Sequence, residues 1–492
     1  MDIVIGIVVF LVIVVFLRSH KFFQTKHLHP LIVPSAFVLK SAVGLLFLQF
    51  YIFQLDDAHL KSDAGAFYHE AKILNEVLSE SPDDYVKLIT GIGAIEELSL
   101  KHLGETNHWD SGKQAFFHDN RNIIRAHALI DLLSVGSIVV HMLIFCLISL
   151  TGTFLLFLAL RKHSKLKSWI VFALLLLLPN LLFWSSGVLK EPFIVFGVGA
   201  VAYGIVVKKA SYEKRILFVI LGLFALVCFK PYILIAMLAS GIVYLIYSVS
   251  PKYKLAVALG VPLLLGYLTL ALVPGLLEKG THRISRKQFD FSNVGRGGMH
   301  VRYKPDSVFY YFSPEQYKSL KVEGDSVWLL EEIDACRVKL GDLASPIPVH
   351  LTPNEHAWLL HFDQPRANSF IEITHIDDQP INLIATAPKA IFNTLLRPFP
   401  NDPGGKLKYL VFLETLFLFG LLGFAVYQRK ELSVNERGFI LSAVVFCTIL
   451  ALLIGWTTPV LGAIHRYRLP IQLALLCIAI VTWKPKLNFL HK

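Results

Sequence analysis

Acidic side chains gather directly after the second apolar run, in "LDDAHLKSDAGAFYHEAKIL", which holds Asp56, Asp57 and Asp63 and then Tyr68 and Glu70. Basic side chains stand in short turns between later apolar runs. "WSSGVLKEP" carries Lys190 beside Glu191, and "FKPY" carries Lys230. "LLRPFPNDPGGKLKYLVFLE" carries Arg397 and ends on Glu414, and "HRYRLP" carries Arg466 and Arg468. A positioned Asp or Glu can take the proton of an attacking hydroxyl. Arg offers a planar fork that matches phosphate oxygens in pairs, and Lys a point charge. Cations that hold a departing phosphate stabilise charge that grows in the transition state. Together the two sets suit displacement of a phosphate leaving group by a hydroxyl.

Each residue also has a plainer role open to it. Ser62 or Asp63 could simply cap the helix that begins near Ala64. Asp56 and Asp57 could be solvated loop residues. Tyr68 suits an interfacial aromatic belt, and Glu70 could pair with a neighbouring Lys on a helix face. Lys190 and Glu191 could pair with each other across their turn. Lys230, Arg466 and Arg468 could snorkel to lipid headgroups. Lys40, inside an apolar run, could snorkel too. His141 reads as a satisfied interior histidine. Outward His102, His108, His118 and His127 lack metal-ligand spacing. No cofactor is implied with certainty, and the metal ligands are unknown. A divalent cation held by Asp oxygens is compatible with the sequence.

The elements that must position these groups are read from composition. Of 492 residues, 54% are hydrophobic and only 17% charged, against about a quarter charged in soluble domains. About eleven runs are long and bare enough of charge to cross a bilayer core of roughly 30 Å. They lie near 2–17, 31–53, 134–160, 169–186, 192–207, 216–229, 232–249, 255–273, 409–427, 438–455 and 469–483. In hydrocarbon every backbone group must bond internally, so these runs are helices. The first is followed by Arg18, His20, Lys21 and Lys26 rather than a small-residue cleavage site, so it reads as retained. Positive residues cluster in alternate loops, which puts the N-terminus outside and the C-terminus inside. The net charge of +11 then reads as topology signal and contact with membrane lipids rather than nucleic-acid binding. Cys146, Cys228, Cys447 and Cys477 fall in apolar runs and only Cys336 lies outside, so no disulfide framework is implied.

The fold class expected is an all-α polytopic membrane protein of about eleven transmembrane helices with a small α/β outward insert. Residues 1–273 form the first part of the membrane domain, with an outward loop at 54–133. "AFYHEAKILNEVL" and "RNIIRAHALIDLL" give that loop helical spacing. Residues 274–408 form the insert, and 409–492 the last three membrane helices. In the insert "HVRYKP", "SVFYYF" and "NSFIEITHI" have the content of strands. "RGGMH", "SPIP" and "DPGG" punctuate turns, and an amphipathic helix near 384–396 closes the segment.

"SDAGAFYHEA" after an early run, "FWSSGVLKEP" in a short turn, "RPFP" before a late run and "HRYRLP" opening the last resemble membrane glycosyltransferases of the C-type fold. The protein O-mannosyltransferases and lipid A aminoarabinose transferases are of that kind. The resemblance implies a polyprenyl-phosphate sugar as donor and an acidic catalytic residue in the first outward loop. Carried over, it makes Asp63 the base, with Asp56 or Asp57 as alternatives, and Arg466 and Arg468 phosphate contacts. The extra first helix, the missing Asp-Glu pair and the insert before the last three helices depart from the family pattern. The expected activity is sugar transfer to a lipid, glycan or protein acceptor on the outer face of a bacterial cytoplasmic membrane. A lipid-linked polysaccharide polymerase or ligase is the alternative, and a transporter or flippase a third.

Overall fold

The computed structural model describes residues 2–104, 106, 108–109, 118–249, 254–302, 308–339, 342–376 and 379–486. The helices of the first loop follow two apolar ones: α1 Asp2–Ser19, α2 Ile32–Leu48 (prolonged by a π-helical turn, Gln49–Phe53), α3 Ala58–Lys61, α4 Asp63–Glu80, α5 Pro82–Thr90, α6 Glu96–Leu103 and α7 Asp119–Ser134. Then come α8 Ile138–Leu160, α9 Ser168–Leu177, α10 Pro179–Trp184, α11 Glu191–Val206, α12 Tyr212–Phe229, α13 Pro231–Val249, α14 Lys254–Leu272 and α15 Leu276–Arg296. Seven strands follow: β1 Gly298–Arg302, β2 Val308–Phe312, β3 Leu320–Glu323, β4 Ser326–Leu329, β5 Ile333–Lys339, β6 Asp342–Leu351 and β7 Trp358–Gln364. The chain ends with α16 Pro380–Leu396, α17 Leu407–Tyr427, α18 Val434–Thr457, α19 Leu461–Tyr467 and α20 Leu469–Thr482.

This is a membrane-type helical protein with one small antiparallel sheet. All eleven expected runs are helical, but they are not alike. Among the described residues six helices are long and apolar enough to cross a membrane: Ile32–Phe53, Ile138–Leu160, Pro231–Val249, Leu255–Leu272, Leu407–Tyr427 and Val434–Thr457. A seventh crossing needs α19 and α20 taken together across a 49° bend. The apolar parts of α1, α9 and α11 are shorter. Length and composition thus give six or seven crossings, not eleven. Contact density divides the chain into two units. The first holds Met1–Gly241, Gly420–Ala443 and Gln472–Lys492, and the second Ile242–Phe419 and Val444–Ile471.

In the first unit α8 is the central post. A Cβ added at Gly199 of α11 would overlap the Gly152 carbonyl of α8. Small residues let membrane helices approach this closely. The first loop is helical, as its spacing predicts. α4 buries Ala64, Phe67, Ala71 and Leu74 along one face, three and four residues apart.

The turn between α10 and α11 is inset, not the short outward loop expected of "WSSGVLKEP". Residues 185–190 are all buried. Lys40 Nζ donates to Ser185 Oγ at 2.7 Å, and Ser149 Oγ to the Ser185 carbonyl at 2.6 Å. A Cβ at Gly187 would lie 2.6 Å from the Phe47 ring, and one at Gly44 would lie 2.9 Å from the Ser186 carbonyl. Lys40, Gly44 and Phe47 all belong to the long apolar helix 32–53, so the turn lies beside its body. Irregular backbone is tolerated at such depth only where protein covers it. Lys40, 1% exposed, therefore pins the turn and does not snorkel.

In the second unit the strands form one sheet in the order β3-β4-β7-β1-β2-β5-β6, with every pairing antiparallel. Met299, Val301, Phe312, Val327, Leu329 and Trp358 fill its core. "SPIP" is not a turn but part of β6. Pro lacks a ladder donor, and β6 is an edge strand where that loss is tolerated. "NSFIEITHI" is not a strand. Asn368 and Ser369 form a turn, only Phe370 bridges, to Val460, and 371–376 belong to no strand. All five cysteines are free.

Candidate functional site

Ser62 is the cap of α4. Its hydroxyl accepts from Gly65 N–H at 3.0 Å and donates to the Tyr51 carbonyl at 2.7 Å. Asp63 is then the first helical residue, its side chain 52% exposed, at the helix end that favours an anion. Two turns on, buried Glu70 offers Oε1 to the backbone N–H of His108 at 2.9 Å and to its Nδ1 at 3.0 Å. His108 Nε2 lies 3.9 Å from Asp63 Oδ1. One imidazole thus stands between two carboxylates of the same helix. Phe67, between them in sequence, meets the His108 ring edge-on at 4.9 Å.

Lys190 Nζ lies 5.3 Å from the Phe67 ring centre. Lys190 is the residue before α11 and is buried. Its ammonium donates to Asp119 Oδ2 at 2.6 Å and Asn120 Oδ1 at 2.5 Å. Lys190 therefore does not pair with Glu191 alone, and Glu191 is buried as the first residue of α11. Asp119 opens α7. Burial alone would push its carboxyl up, but the charges of Lys190 and then Lys230 pull it down to about 2. Lys230, 8% exposed, is held nearby because Asn122 Nδ2 donates to the Cys228 carbonyl at 3.0 Å. That bond ties the first turn of α7 to the end of α12.

The rest of α7 locks the first loop in place. Arg125 Nε donates to the Leu88 carbonyl at 2.9 Å, and its Nη1 to Asn122 Oδ1 at 2.9 Å. Arg121 and Arg125 lie 5.9 and 5.3 Å from the ring of buried Trp109. Tyr68 donates to the Gly136 carbonyl, so it fixes the link between α7 and α8. His127 and His141 stack, with Nδ1 to Nδ1 at 2.8 Å. His127 Nε2 reaches the Val188 carbonyl at 3.2 Å, and His141 Nε2 the Ser134 hydroxyl at 2.9 Å. Burial above all, with His141 alongside, lowers His127 to about 3.

The second unit has its own charged cluster. Arg468, 2% exposed, stands between α19 and α20. Its Nη1 donates to the Arg397 carbonyl and its Nη2 to Thr415 Oγ1, both at 2.7 Å. Arg397 Nη1 meets Asp402 Oδ1 at 3.3 Å. The other Asp402 oxygen accepts from Phe399 N–H at 2.7 Å. Glu414 is buried, its Oε2 4.0 Å from His465 Nε2. The half-buried Arg466 lies 5.9 Å from the Tyr467 ring centre.

Of the residues expected from sequence, Asp63, Tyr68, Glu70, Lys190, Glu191 and Lys230 belong to the first unit, and Arg397, Glu414, Arg466 and Arg468 to the second. Asp56 and Asp57 are exposed in the turn before α3, where Asp57 adopts a left-handed backbone with φ 52°. Asp119 and Asn120 were missed, although an Asp-Asn pair at the start of a periodic helix is a visible signal. His108 was noted only for lacking metal-ligand spacing. Among the described residues no three His, Cys, Asp or Glu side chains are grouped to hold a metal ion. Comparison with protein-family models, with curated proteins and with solved structures finds no match.

Proposed function

We propose that this chain transfers a sugar from a polyprenyl-phosphate donor to a hydroxyl of a lipid, glycan or protein acceptor, at the outer face of a bacterial cytoplasmic membrane. In this reading the fold is C-type, with eleven crossings, the N-terminus outside and the C-terminus inside. Short or broken α1, α9 with α10, α11 and α12 supply the crossings beyond the long helices. The alternation of basic loops supports that topology.

One observation carries the reading. Lys190 and Lys230 act on a single carboxylate, Asp119, and Lys190 sits against Phe67 on the helix that also bears Asp63 and Glu70. Early acidic residues and hairpin cations thus meet in one unit. In the proposed step Asp63 takes the proton of the acceptor hydroxyl. The hydroxyl oxygen bonds to the anomeric carbon as the bond from that carbon to the phosphate oxygen breaks. The electron pair leaves with the phosphate, whose charge Lys190 and Lys230 stabilise. Asp119 occupies the lysines until the phosphate arrives. The phosphate role of Arg397 rests on its residue type and its place in the sequence, and that of Arg466 and Arg468 on these and on the family resemblance.

The test is Asp63→Asn, assayed with a radiolabelled polyprenyl-phosphate sugar in membranes of matched expression. Loss of a general base lowers the rate by about 10²–10⁴-fold, while donor binding should hold. Full activity in the variant would remove the base and favour a polymerase or ligase of lipid-linked oligosaccharides.

A further inference from the structure

We propose that a cleft between α16 and the C-terminal end of α18 binds the phosphate of a membrane lipid headgroup. The inference does not rest on the glycosyl-transfer reading. The cleft is shallow and half open, about 200 Å³ counting the solvent at its mouth, and is lined by Thr374, Thr386, Lys389, Asn393, Gly455 and Trp456, with Ile373 and Ala390. Its lining holds one cation and no carboxylate.

Asn393, 3% exposed as a whole residue, presents its amide in the lining of the cleft. Lys389 Nζ donates to Thr374 Oγ1 at 3.1 Å, and an ammonium has two further N–H groups to give. Trp456 Nε1 is buried without an acceptor among the described residues. The Trp456 side chain belongs to the cleft lining. A ligand rich in acceptor oxygens and negatively charged satisfies this set, and a phosphate is the simplest such group.

Position identifies the phosphate as a lipid's. Gly455 and Trp456 lie in the last turn of the apolar helix Val434–Thr457, at the level where headgroups begin. Along α16, Ile381 (62%), Ile384 (72%), Phe392 and Leu396 are exposed. At 100° per residue they form one stripe, and Thr386, Ala390 and Asn393 lie on the adjoining face. An acyl chain fits the stripe while its headgroup enters the cleft, and Lys389 stands on the border between the two. The walls are fixed. A Cβ at Gly455 would overlap the Ala390 carbonyl, Thr394 Oγ1 donates to the Ala451 carbonyl at 2.8 Å, and Gln288 Nε2 donates to the Trp456 carbonyl at 2.7 Å.

The experiment is a titration of the full-length protein in dodecyl maltoside with phosphatidic acid, read by native mass spectrometry. Inorganic phosphate and diacylglycerol are the competitors. Lys389→Glu, at an exposed position, and Asn393→Leu should each weaken phosphatidic acid binding by roughly tenfold or more. Neither competitor should displace it at equal concentration. Unchanged binding in a folded Lys389→Glu protein overturns the proposal, whatever Asn393→Leu does to folding. Displacement by inorganic phosphate would make this a free-phosphate site. Displacement by diacylglycerol would leave only an apolar stripe. Either result overturns the assignment to a lipid phosphate.

Discussion

One buried cation in each unit is held in a different way. In the first, a buried lysine meets a carboxylate brought from another segment, and a second lysine draws on the same carboxylate. In the second, buried Arg468 gives its forks to a carbonyl and a hydroxyl, both neutral. The difference teaches what each cation is ready to do. Lys190 is neutralised, so an incoming anion must displace Asp119, and the exchange is one of like for like. Arg468 is embedded as a strut between Arg397 and Thr415, and an anion there would cost the protein structural bonds. The first arrangement suits a site that opens and closes around a charged ligand. The second suits a joint.

That contrast can be broken by experiment. The largest effect should come from Arg468→Met, which strands a buried carbonyl and hydroxyl. A loss of about 3 kcal/mol is expected, read by unfolding in detergent, and a loss below that of Lys190→Met would invert the comparison. Next, a double-mutant cycle of Lys190→Met with Asp119→Asn should give a coupling of about 1–2 kcal/mol. The modest figure allows for the Asp119 side chain being 37% exposed. Acid sharpens the same point. Asp119 titrates near 2 when folded and near the ordinary 3.8 when unfolded. Its contribution is therefore fully present above about pH 4 and lost as pH falls through 2, a slope that Asp119→Asn should remove. The smallest change is Asp57→Gly. It relieves a left-handed backbone and should stabilise by about 0.5 kcal/mol, with no effect on either cluster.

Much of this was legible in sequence, for reasons that also explain the rest. Helical runs and the amphipathic α4 and α7 follow from periodicity, which is local. β1 and β2 follow from aromatic and β-branched content. The stretch "NSFIEITHI" has that content too, but its backbone finds one bridging partner, Val460, instead of a strand. The depth of the turn at 185–190 could not be read, because it depends on Gly44, Phe47 and Lys40 meeting residues some 140 positions away. Hydropathy marks where apolar runs stop, not how far the next turn folds back. Asp119 was overlooked for the same reason. Its importance lies in Lys190, which only folding brings near.

The stacked histidines belong to a chain of hydrogen bonds that ends on the Val188 carbonyl. A carbonyl can only receive a hydrogen, so the Val188 oxygen forces His127 to carry one on Nε2. His127 Nδ1 then faces His141 Nδ1 across a single hydrogen bond. His141 Nε2 faces both the Ser134 hydroxyl at 2.9 Å and Asp131 Oδ1 at 3.6 Å. The string runs from Asp131 and Ser134 through the two rings to the Val188 carbonyl. It works as a guy-line, holding the far side of the folded-back turn while Lys40 tethers the near one.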